Sequence, residues 1–299
     1  MRIGTITRPG VPWRLGVTLV AVGGVLGSAA ACSRLAPASA VVHRSPAASA
    51  DLSSSPARSP IPTPSVAVPS PPGSTESDGA PVRPVSLPAT IVEIGDSLGI
   101  DLGYGLRDVL AETPGITLIP AAYGSSGLVR PEFYDWQTHL QELLNRYQPD
   151  LVIVFLGAND VQNFFADGRY EKFGTPEWRT VYAARVGALM DEAVAGGAQV
   201  LWVGMPAMRD PAFDFAMSEL DGIFRQEAAG RAGVRYFASR PVLAGPDGGY
   251  AASVTTSSGR RVVARAPDGV HITFGTPESG ATLLAQAVVG ALHAAFGLR

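Results

Sequence analysis

Four short polar pieces of this 299-residue chain carry residue types that can activate a hydroxyl group. Gly95-Asp96-Ser97-Leu98 follows an apolar run, and Gly157-Ala158-Asn159-Asp160 follows another. Tyr123-Gly124-Ser125-Ser126-Gly127 lies between them, and Asp268-Gly269-Val270-His271 stands near the C-terminus. A serine hydroxyl is a weak nucleophile until a base takes its proton. His271 is the candidate base, because imidazole titrates near neutral pH. Asp268 is the candidate partner for the other ring nitrogen, where it would fix the tautomer and stabilise the imidazolium. Ser97, Asp268 and His271 are therefore the candidate catalytic residues. Asp96 and Asp160 read as braces, short acids in turns that accept backbone N–H bonds. His43, His139 and His293 lie away from these motifs. No His/Cys/Asp cluster has metal spacing, and no phosphate-cradling glycine loop follows a strand, so neither a metal nor a cofactor is expected.

Residues so far apart in sequence need a scaffold to gather them. From Ala89 onward, apolar runs and helical periodicities alternate. Strands are predicted at 89–94, 116–120, 150–157, 199–206 and 234–238, and helices at 99–112, 134–147, 176–197, 213–233 and 277–297. Continuous apolar strands alternating with helices indicate a parallel sheet covered on both faces, a three-layer α/β domain. Ligands of such sheets bind beyond the carboxyl ends of the strands. That rule points to the turns after Ile94, Pro120, Leu156 and Met205. Two connections read as rim. In residues 161–178, Phe164, Phe165, Tyr170 and Trp178 either line an acyl or sugar site or pack onto their own domain. Residues 247–267 read as a polar hairpin turning near Ser258-Gly259.

On these motifs, residues 89–297 resemble the SGNH, or GDSL-type, hydrolase family. Gly-Asp-Ser-Leu, Gly-x-Asn-Asp and Asp-x-x-His occur in that family's order. The resemblance implies an α/β/α sandwich with a flavodoxin-like five-stranded parallel sheet, and ester chemistry through a serine nucleophile and an acyl-enzyme. It also implies an oxyanion hole made of the Ser97 backbone N–H, a glycine N–H and the Asn159 side-chain amide. Ser126-Gly127 matches the family's Ser-Gly pattern, which favours Gly127, with Gly124 as the alternative. The expected activity is that of a serine esterase acting on an acyl ester of a sugar, glycan or lipid of the cell envelope. The same acyl-enzyme permits transfer to a glycan or glycolipid hydroxyl. A rival from another class is a non-catalytic glycan-binding protein of the same fold, against which the intact residue set argues.

Charge and composition bound the partners. The formal net charge of −3 conceals an asymmetry, +4 over residues 1–87 and −7 over residues 88–299. An acidic globular part argues against nucleic acid as a partner. Residues 1–32 join a positive start (Arg2, Arg8, Arg14) to a charge-free stretch ending at Cys32, the pattern of an export signal or membrane anchor. Ser28-Ala29-Ala30-Ala31-Cys32 resembles a bacterial lipobox, so a lipid anchor at Cys32, a cleaved signal and an uncleaved anchor all stand. Each puts the rest of the chain outside the cytoplasm, on or near a membrane. Residues 33–88 hold 12 Pro and 13 Ser and read as a disordered spacer. Residues 89–299 are the folded domain.

Overall fold

The computed structural model describes residues 81–299. The expected export segment, Cys32 and most of the spacer lie outside the described residues.

The sheet is built from β1 (Ala89–Gly95), β2 (Ile116–Pro120), β3 (Leu151–Phe155), β6 (Gln199–Val203) and β7 (Val234–Phe237). Between β3 and β6 lies a small hairpin, β4 (Phe164–Ala166) and β5 (Arg169–Glu171). The five strands run parallel in the order β2-β1-β3-β6-β7. This is the flavodoxin-like order, and it reverses direction between β1 and β3. The helices are α1 (Ser97–Leu110), α2 (Trp136–Tyr147), α3 (Pro176–Ala195), α4 (Pro211–Ala229), the single turn α5 (Arg240–Leu243) and α6 (Gly280–Phe296). α1 packs on α6, while α2, α3 and α4 pack in succession, which gives the two helical layers. The expected three-layer sandwich is thus the observed one. A second hairpin, β8 (Ser253–Thr255) and β9 (Arg261–Val263), turns where Ser258-Gly259 predicted it.

The core follows from the strand sequences. β3 and β6 are buried at every position, as expected of strands with a helical layer on each face. Leu98, Leu102 and Leu106 recur at helical spacing along α1 and are wholly buried. Each contributes roughly 1.5–3 kcal/mol relative to an exposed side chain. Helix starts are read locally: Asp135, Thr175, Asp210 and Ser279 each cap a helix through the side chain, with Pro at the first turn of α3 and α4.

The spacer meets the domain earlier than composition indicates. Val85 is buried, its N–H donates to the Phe296 carbonyl, and the Leu87 N–H donates to the Arg299 carbonyl. The Arg83 N–H donates to Gln199 Oε1 at 2.7 Å. Val82 also packs against the core, and the Pro81 and Arg83 carbonyls accept from the Gly233 N–H and Gln199 Nε2, so an otherwise Pro-rich stretch docks through contacts that composition does not reveal.

Candidate active site

β1 ends against β3 so closely that only glycine fits. A Cβ at Gly95 would lie 2.2 Å from the Phe155 carbonyl oxygen. The chain then turns straight into α1, with Asp96 as N-cap and Ser97 as the first helical residue. Asp96 is buried and holds two strand ends together. Its Oδ1 accepts from the Leu98 N–H at 2.9 Å, and its Oδ2 accepts from the Gly157 and Ala158 N–H groups at 3.0 and 2.8 Å. The bracing role read from the sequence is what the hydrogen bonds describe, and it fixes the Ser97 turn against the Asn159 turn.

His271 arrives from the segment before α6. Its Nε2 lies 2.9 Å from Ser97 Oγ, and its Nδ1 lies 2.7 Å from Asp268 Oδ2. Asp268 Oδ1 accepts from the Val270 and His271 backbone N–H groups at 2.8 and 3.0 Å. Burial pushes the Asp268 carboxyl upward, but these bonds, with the ring and charge of His271, bring it down to about 2. The His271 and Asp268 side chains are 41% and 49% exposed, so the row opens to solvent on one side. The structure thus brings together three residues from opposite ends of the domain sequence.

Asn159 and the Ser126-Gly127 turn also meet. Asn159 Nδ2 donates to the Ser126 carbonyl at 2.9 Å. Ser126 is buried; its hydroxyl donates to the Tyr123 carbonyl at 2.6 Å and accepts from Trp136 Nε1 at 3.0 Å. Gly127 is buried beside Asp160, whose Oδ1 would be 2.2 Å from an added Cβ. Gly124 is less enclosed, with Ile100 Cδ1 at an ordinary 3.6 Å from such a Cβ. Asp160 accepts from the Val129 N–H at 3.0 Å and from the Tyr182 hydroxyl at 2.8 Å, so it too is a brace.

Some supporting residues escaped the sequence reading. Asp101, one turn into α1, accepts from the Ile272 N–H at 2.9 Å and ties the histidine segment to α1. Arg265 is buried; it donates to the Ala207 carbonyl, to the Val270 carbonyl at 2.6 Å and to the His271 carbonyl at 3.4 Å. Arg209 donates to the Pro267 and Asp268 carbonyls, both at 2.7 Å. No motif marks these three, since their partners are backbone carbonyls and N–H groups. The aromatics of residues 161–178 divide. Phe164 and Trp178 are core, while Phe165 and Tyr170 are exposed and lie against each other across the β4–β5 hairpin.

The buried acids behind the site make stability depend on pH. Burial pushes Asp96 up to about 7, against the Leu98, Gly157 and Ala158 N–H bonds, and burial likewise pushes Asp101 and Asp160 up to about 6. In the unfolded chain such groups titrate near 4. Between about pH 4 and pH 7 the folded state therefore holds more protons than the unfolded state, and stability falls as pH rises through that window. A calorimetric scan should find a higher unfolding midpoint at pH 5 than at pH 8. A midpoint that holds or rises would mean that these carboxyls ionise as readily folded as unfolded.

Several solved structures are similar to this chain. TesA is 20% identical, covers 68% of this chain and 97% of its own, and has a TM-score of 0.44. The esterase EstA from Pseudoalteromonas sp. is 19% identical, covers 69% and 97%, and has a TM-score of 0.43. A GDSL-like lipase from Bacteroides thetaiotaomicron is 14% identical, covers 70% and 89%, and has a TM-score of 0.45. A comparison with curated proteins finds no match. The family model that matches carries the description "Protein of unknown function (DUF459)" and spans residues 90–291, from the first strand to the last helix. With its SGNH-type order of motifs on a five-stranded parallel sheet, the chain belongs to that family.

Proposed function

We propose that the protein is a serine hydrolase that cleaves acyl esters through an acyl-enzyme on Ser97. The observation that carries this reading is the unbroken row from Ser97 Oγ to His271 Nε2, and from His271 Nδ1 to Asp268, at 2.9 and 2.7 Å. Neutral His271 takes the hydroxyl proton as Oγ attacks the ester carbonyl. Asp268, held anionic at neutral pH, keeps the other ring nitrogen protonated and stabilises the imidazolium. The imidazolium then returns its proton to the leaving alcohol, and the acyl group remains on Oγ.

The tetrahedral oxyanion needs donors. Ser97 is the first residue of α1, where backbone N–H groups lack intrahelical partners and the helix dipole favours negative charge. The Asn159 amide has two N–H bonds to give. One goes to the Ser126 carbonyl, and the other is assigned to the oxyanion. Gly127, in the turn that Asn159 holds, is assigned the third donor. The second half-reaction needs only a hydroxyl activated by the same histidine. Water gives an esterase, and a glycan or glycolipid hydroxyl gives an acyltransferase.

The test is to incubate the full chain with an acyl donor, quench it early and locate the added acyl mass on a peptide. The adduct is expected on the peptide containing Ser97, and the product as free acid. Acyl groups recovered on an added sugar rather than in water would assign the protein to transfer. A chain that stays unmodified by both ester and fluorophosphonate would leave only the non-catalytic binding role.

A further inference from the structure

An aromatic row stands on the turn that carries Gly127. Tyr123 opens that turn three residues past β2, and its carbonyl accepts from both the N–H and the hydroxyl of Ser126. The Tyr123 ring stacks on Tyr134, with centroids 4.2 Å apart and planes 13° from parallel, and it leans against Phe133 at 6.1 Å. Tyr123 and Phe133 are 47% and 48% exposed. Single aromatics scattered over a surface are ordinary, whereas adjoining rings left in water mark a place where something binds.

The row is held from behind. Trp136 is buried and meets Tyr134 edge-on at 4.8 Å, and the same Trp136 donates to Ser126 Oγ. Arg130 lies 4.8 Å from the Phe133 centroid and donates to the Ser125 carbonyl at 2.8 Å. The rings are thus placed before a ligand arrives, which lowers the ordering cost of binding. The row is also tied to the nucleophile turn. β1 and β2 are parallel neighbours, so Ser97 and Tyr123 leave the sheet on the same rim. The Tyr123 N–H donates to the Gly95 carbonyl at 2.8 Å. Residues joined by such a bond have Cα atoms within about 6 Å, and the two steps from Gly95 to Ser97 add at most about 7 Å. Tyr123 therefore stands within roughly 13 Å of Ser97, Cα to Cα.

We propose that the exposed rings of Tyr123 and Phe133 form a subsite for a sugar ring in the alcohol half of the ester, with Arg130 donating to a sugar hydroxyl. A pyranose carries C–H groups on its faces and hydroxyls around its rim. A flat, half-exposed aromatic ring covers such a face and leaves the rim in water. Arg130 spends one N–H bond on Ser125, and a guanidinium has five to give. An acyl chain is stabilised only in proportion to the area removed from water, so a surface open on one side holds it poorly. The separation from Ser97 suits the sugar that bears the ester or the next one along a glycan.

This assignment rests on the reading of Ser97 as nucleophile, and the test separates the two. The full chain and its variants are assayed by acid release from O-acetylated methyl cellobioside, xylobioside and chitobioside, with ethyl acetate and ethyl octanoate beside them. None of these esters has an aromatic leaving group to occupy the row itself. Wild type should prefer at least one acetylated disaccharide to ethyl acetate by about tenfold or more in kcat/KM. Tyr123→Ala and Phe133→Ala should each reduce that preference by about five- to tenfold, through KM, the worth of one ring contact. Tyr123→Phe, which keeps the ring, should hold it within about threefold of wild type. Phe133 is a second exposed ring of the row, so it carries the test if Tyr123→Ala fails to fold. A wild type that prefers none of the disaccharides, or a preference that both alanine variants retain, overturns the subsite. An equal loss on ethyl octanoate relative to ethyl acetate overturns the sugar in favour of an acyl chain. If wild type turns over no ester, the nucleophile reading fails by itself. The subsite is then decided by saturation-transfer NMR with the unacetylated methyl disaccharides. A signal lost in both alanine variants supports it, and no signal in wild type, or one that persists in the variants, overturns it.

Discussion

Ser97→Ala lowers ester turnover by on the order of 10⁴- to 10⁶-fold, and His271→Ala does nearly the same. The two losses do not multiply. Ser97 Oγ and His271 Nε2 share one hydrogen bond, and the proton that crosses it is the one whose removal makes the serine a nucleophile. Removing either partner stops the same step, so the double variant should be no slower than the slower single variant. Turnover that survives comes from whatever oxyanion donors and substrate contacts remain. Folding is a poor alternative explanation, because Ser97 is only half-buried and makes no other side-chain bond of note, while the turn around it is held by Asp96. Steady-state rates on p-nitrophenyl esters, with melting curves beside them, check the expectation. Single losses that multiply in the double variant would mean that Ser97 and His271 act in separate steps.

Why the grouping of these residues was legible follows from where they sit in the fold. Ser97, Asn159, Asp268 and His271 sit at strand ends or before the last helix, and their motifs occur in one order. The strands were legible because β3 is apolar throughout and β6 is apolar after Gln199, as a sheet covered on both faces requires. The bonds of Arg265 and Arg209 were not legible. Each donates to backbone carbonyls that any sequence supplies, so nothing in the side-chain pattern announces the contact. Glu93 was not legible either. It reads as one polar residue in an apolar strand, and only the glycines facing it from α1 show that the fold shelters it. The β4–β5 hairpin was hidden because its strands are three residues each, too short to show a clean alternation.

Asn159→Ala is expected to lower kcat by about 100- to 1,000-fold while KM changes little. The argument turns on when the amide's second N–H is used. An ester carbonyl carries little charge before attack, whereas the tetrahedral intermediate carries a full negative charge on that oxygen. A donor aimed at the oxyanion therefore lowers the barrier more than it helps ground-state binding. The substitution also removes the bond from Nδ2 to the Ser126 carbonyl, which tethers the Asn159 turn to the Gly127 turn. That loss should cost about 1 kcal/mol of stability, too little to unfold a domain braced by Asp96 and Asp160. Asn159→Asp tests the charge argument directly. A carboxylate there presents no donor to either the Ser126 carbonyl or the oxyanion, and it adds a negative charge where one must develop. It should be slower than Asn159→Ala at neutral pH, and the gap between the two variants should narrow as the pH falls and the new carboxyl takes up a proton. Stopped-flow acylation rates would measure this directly. If Asn159→Ala instead raised KM and left kcat alone, Asn159 would bind substrate without acting on the oxyanion, and the stabilising donors would have to be the Ser97 and Gly127 N–H groups alone.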